Sequence, residues 1–75
     1  MPTIKTFGSF GIHMYFEDHG VPHFHIVAAA YSASIAIEDF AILAGGVPPR
    51  IYKLATAWAV ENKPLLRRKW KEYSA

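Results

Sequence analysis

Period-two alternation of apolar and polar residues before residue 45, and helical spacing after residue 48, divide this chain and decide its fold class. The divider is Gly45-Gly46-Val47-Pro48-Pro49, two glycines and a proline pair that neither a strand nor a helix interior favours. Upstream, Ile12, Met14 and Phe16 alternate with His13, Tyr15 and Glu17, and Phe24 and Ile26 with His23 and His25. Tyr31, Ala33, Ile35 and Ile37 alternate with Ser32, Ser34 and Ala36. Such runs predict strands with one face buried. Thr3 to Phe7 reads as an edge strand, Gly11 as a bulge or tight bend, and Phe40 to Leu43 as a further short strand. Downstream, Pro49 suits the first turn of a helix whose stripe is Ile51, Leu54, Ala55, Trp58 and Ala59. Asn62 reads as the cap opening a second helix, with Pro64 in its first turn and Leu66, Trp70 and Tyr73 inside.

The expectation is a single α+β domain over 1–75: a small antiparallel β-sheet of three to four strands in 1–44, then two C-terminal helices in 48–73 packed on one sheet face. Ile12, Met14, Phe16, Phe24, Ile26, Ile35 and Ile37 go to the buried face. His13, Tyr15, Glu17, His23, His25 and Ser34 then share the open one, where an antiparallel sheet ordinarily carries polar residues.

Size limits what this core can do. A 75-residue chain buries only about 60% of its unfolded surface, and with no cysteine it has no disulfide and no thiolate metal site. The expectation is a complex with a partner protein or a homo-oligomer. The start, Met1-Pro2-Thr3-Ile4-Lys5, lacks the apolar core of a secretion signal, and no run reaches membrane-spanning length. A cytoplasmic protein without a membrane contact is expected.

Chemistry concentrates in Glu17-Asp18-His19-Gly20-Val21-Pro22-His23-Phe24-His25, which holds three of the four histidines in nine residues. Gly20 and Pro22 are turn residues, so the flanking strands lie side by side and their polar groups converge. Four readings stand open. His23 and His25, about 6.5 Å apart on one strand face, can ligate a zinc ion that His19 or Glu17 completes. Without metal, His19, His23 and His25 beside Glu17 and Tyr15 can exchange protons, and RNA cleavage needs little more than that and a cation for the phosphate. Alternatively, Tyr15, His23, Phe24 and a tail tryptophan form a protein-binding face. The plainest reading is that Asp18 and Gly20 shape a turn and the histidines decorate a sheet.

Seven of the eight basic residues fall from Arg50 onward, with Lys5 alone at the front. Arg67, Arg68 and Lys69 are the candidates for an acidic partner or a phosphate backbone, against the commoner reading of a solvated helix face. Trp58 and Trp70 lie on apolar stripes and read as core. No phosphate-binding glycine loop, dinucleotide fingerprint or nucleophile elbow occurs.

Several stretches together resemble the small bacterial family called domain of unknown function 4160. They are Met1-Pro2-Thr3-Ile4, Met14-Tyr15-Phe16-Glu17-Asp18-His19, Pro22-His23-Phe24-His25, Trp58-Ala59, and the spaced Asn62, Leu66 and Trp70. The resemblance spans nearly the whole chain and departs at Val21, where the family's D-H-x-P-P-H-F-H turn has a first proline. Members are commonly encoded beside a second small family. The resemblance therefore implies a component of a toxin–antitoxin-like two-protein module with a small cognate partner. The alternating histidines also suggest histidine-triad hydrolases, but Val27 stands where the next histidine would be and the chain is too short.

Overall fold

Strands rich in β-branched and aromatic residues pair with their sequence neighbours when the connections are short. In the computed structural model, which describes residues 3–16 and 20–74, this produces one antiparallel sheet in the order β1-β2-β3-β4-β5. The strands are β1 (Thr3–Thr6), β2 (Phe10–His13), β3 (His23–Ala28), β4 (Ser32–Ala36) and β5 (Ile42–Gly46). Two helices follow, α1 (Pro49–Glu61) and α2 (Lys63–Ser74). The α+β architecture is the expected one, but the sheet has five strands where three to four were expected. Among the described residues, no helix is long and apolar enough to cross a membrane.

The further short strand read at Phe40 to Leu43 is β5, which begins two residues later and runs on through the glycines. Gly45 and Gly46, read from sequence as the end of the β portion, belong to β5 and face Ala33 and Ser32 of β4. Gly45 has φ of 72°, and a Cβ on it would lie 2.2 Å from the Ser32 carbonyl oxygen. Only glycine lets the two backbones approach this closely, so the residue continues the strand instead of breaking it. Gly11 departs from expectation in the opposite sense: it is a regular ladder position facing Thr6 and Val27, and the irregularity sits in β1 between Thr3 and Lys5.

The core lies between one sheet face and the helices. Phe10, Ile12, Phe24, Ile26, Ala33 and Ile35 alternate into it, Met14 and Ile37 extend it beyond the strand ends, and Ile51, Ala55, Ala59 and Leu66 close it. Two expected members are elsewhere. Phe16 is 62% exposed because β2 ends at His13 and pairing no longer holds the alternation; its ring meets Tyr73 edge-on at 5.1 Å. Leu54 is 47% exposed because α1 packs through the i, i+4 ridge Ile51–Ala55–Ala59, which turns Leu54 outward.

Asn62 also acts differently from expectation. Its side-chain amide donates back to the Trp58 carbonyl at 2.9 Å and its N–H donates to Ala59, so it closes α1. Its contribution to α2 is its carbonyl, which accepts from the Leu66 N–H. This tight junction sends α2 across the sheet end where β2 finishes and β3 begins. Lys63 Nζ donates to the Glu38 carbonyl at 2.6 Å, and the Ile37 N–H donates to the Pro22 carbonyl at 3.0 Å. The residues just before β3, the end of β4 and helix α2 are thereby held together.

Candidate functional site

Strand register builds the site. Thr3, His13, His25, Ser34 and Ala44 are cross-strand partners in sequence, so they form one row across all five strands. Thr3 Oγ1 lies 3.3 Å from His13 Nδ1, and Ser34 Oγ lies 3.3 Å from His25 Nδ1; which partner donates depends on the ring tautomer. Gly11 makes room for this row, because a Cβ there would stand 2.9 Å from His13 Nε2.

A second line of rings crosses the row at His25. Tyr15 and His25 have centroids 4.1 Å apart, His25 and His23 5.0 Å, and His23 and Trp70 5.0 Å. His23 Nδ1–H donates to the Val21 carbonyl at 2.7 Å, which orients the imidazole and places the proton on Nδ1. Such packing of rings, hydroxyls and imidazoles can pass protons or hydrogen-bond a partner.

The predicted residues of the His-rich stretch divide in two. Tyr15, His23 and His25 come together. Glu17 and His19, with Asp18, lie outside the described residues, so the set His19, His23 and His25 is represented by two members. Among the described residues, no group of three His, Asp or Glu gathers where a metal could be held. Two expectations about exposure are corrected. His23 is 9% exposed, not on an open solvent face, because α2 wraps the sheet end and lays Trp70 over it. Phe24 is completely buried on the core face and has no surface to offer a partner.

The basic run splits by helical position. Arg67 and Arg68 line a groove of about 510 Å³ together with Pro22, Trp70 and Lys71. Lys69 projects elsewhere, 3.9 Å from Glu72 and over the Tyr73 ring at 5.5 Å. Trp70 and Lys71 thus line the groove although the run of three cations did not include them. Their spacing from Arg67 at i+3 and i+4 was the available signal.

The family model described as domain of unknown function (DUF4160) matches residues 10–71. That span includes His13, Tyr15, His23, His25 and every residue of the α2 groove. No curated protein and no solved structure matches the chain. With most of its length covered by that model, the chain belongs to the DUF4160 family.

Proposed function

We propose that this protein is the small component of a toxin–antitoxin-like two-protein module of the bacterial cytoplasm. Its His-rich segment 17–25 and uncovered sheet face meet the cognate partner. The supporting observation is one-sidedness. The core packs both helices on one face, while the other carries the half-buried Tyr15, His25 and Ser34 and ends at β5, whose five residues are all exposed and uncharged. Exposed edge strands invite pairing with a second chain, and stable monomers usually guard them with charge. The opposite edge, β1, has Lys5; β5 has Ile42 at 51% exposure and Leu43 at 45%.

Co-expression with a small cognate partner of the kind the family is commonly encoded beside is expected to yield a complex. Leu43→Lys, at an exposed position, should weaken that complex at least tenfold, read by calorimetric titration, with little change in melting temperature, and Tyr15→Ala should weaken it likewise. Unchanged affinity in both variants would remove this face as the contact.

A second reading, histidine-dependent or metal-dependent RNA cleavage, is favoured by the His23–His25 ring pair beside Tyr15. An acid and a base within reach of one phosphate are what that reaction requires. Under this reading the wild type cleaves RNA, and His25→Ala, folded by circular dichroism, loses at least a hundredfold. Activity that survives chelation marks the metal-free form; loss on chelation with rescue by Zn²⁺ marks the metal-dependent one. Equal cleavage by His25→Ala would rule out the pair.

A further inference from the structure

The groove between Pro22 and α2 combines two chemistries, aromatic and cationic. Its lining is mainly apolar and combines Trp70 and Pro22 with the three cationic side chains of Arg67, Arg68 and Lys71. Its volume of about 510 Å³ lies within the ~300–1,000 Å³ typical of small-molecule sites. The three cations are poorly neutralised. Arg67 reaches Glu38 at 3.3 Å, but both side chains are largely exposed, and such a pair is weak enough for a better anion to displace. Among the described residues, no carboxylate lies within ion-pair distance of Arg68 or Lys71. The other helix acid near the run, Glu72, is engaged with Lys69 away from the groove.

We infer that this groove binds a nucleotide unit, with the base stacked on Trp70 and the phosphate held by Arg67, Arg68 and Lys71. A flat indole offers a base a stacking face irrespective of base identity, and guanidinium groups match phosphate oxygens two at a time. An acidic peptide would satisfy the cations but leave the indole without a flat partner. Trp70 also touches His23, so an occupied groove lies next to the imidazole pair. The site requires neither the partner contact nor RNA cleavage, and the test below reads binding alone.

The indole N–H signals of Trp58 and Trp70 report occupancy in the intact chain, with Trp58→Phe used to assign them. Titration with adenosine 5′-monophosphate is expected to move the Trp70 signal saturably and leave that of Trp58 in place. Adenosine alone and inorganic phosphate alone should bind at least tenfold more weakly. The double variant Arg68→Glu/Lys71→Glu, both surface positions, should lose at least tenfold in affinity with an unchanged melting temperature. A tetra-adenylate that binds at least tenfold more tightly than the mononucleotide supports RNA as the source; equal affinity supports a free nucleotide. The inference is overturned if neither nucleotide moves the Trp70 signal at millimolar concentration, if the double variant binds unchanged, or if an oligoglutamate peptide alone produces the shift.

Discussion

Replacing Phe24 with alanine is expected to remove about 3–5 kcal/mol of stability, the usual cost of emptying a buried phenylalanine site. At 0.05–0.15 kcal/mol per residue, a 75-residue chain holds about 4–11 kcal/mol in total, so this one change takes up to most of it. Phe24 has no exposed surface, sits on the central strand β3 opposite Ile35, and belongs to the cluster that joins both helices to the sheet. The cavity would open between elements that cannot all collapse inward. Phe24 also lies between His23 and His25, so the strand segment that presents both imidazoles is anchored by this ring. Urea denaturation provides the check. With a slope near 1 kcal/mol/M, typical of a small chain, the midpoint should fall by about 3 M or more. A shift under about 1 M would mean that Phe24 is not the anchor described.

Gly45→Ala should be nearly as damaging, by a different route. The left-handed backbone costs a side chain about 1–2 kcal/mol. The added Cβ would also stand 2.2 Å from the Ser32 oxygen and 3.2 Å from the Ala33 Cα, both backbone atoms of β4. A rotamer change cannot relieve a backbone clash, so β5 must shift away from β4. The expected loss is at least about 2 kcal/mol, with amide exchange accelerated most in β5. Gly46→Ala is the matched control: a Cβ there meets nothing within 4 Å, and its effect should stay within about 0.5 kcal/mol. Similar losses in the two variants would contradict the close approach. Because β5 is the proposed pairing edge, Gly45→Ala should weaken partner binding as well.

The strands and helices were legible because alternation and helical spacing are local properties, and Ile12, Ile26 and Ile35 fall where those periods put them. The extent of the fifth strand was not: it was read as Phe40 to Leu43, since Gly45 reads as a breaker until Ser32 is known to press against it. Alternation carried Phe16 into the core because it gives no notice of where pairing stops. Asn62 could close one helix or open the next, and the choice rests on which side its amide turns to. At the site, the meeting of Tyr15, His23 and His25 followed from two short strands around a turn. The burial of His23 did not, because Trp70 comes from 47 residues further along the chain and arrives only when α2 crosses the sheet end. The division of Lys69 from Lys71 was legible in principle: positions 67, 68 and 71 share a helix side at 100° per residue, and 69 does not.

The central claim is that the uncovered sheet face and β5 form half of a two-protein interface. The most direct measurement is the mass in solution of the chain co-purified with the proposed small cognate partner, by light scattering during gel filtration. A stable heteromeric particle that Leu43→Lys dissociates into its components is the predicted result. Two separate proteins at micromolar concentration, or a complex that Leu43→Lys leaves intact, would contradict it.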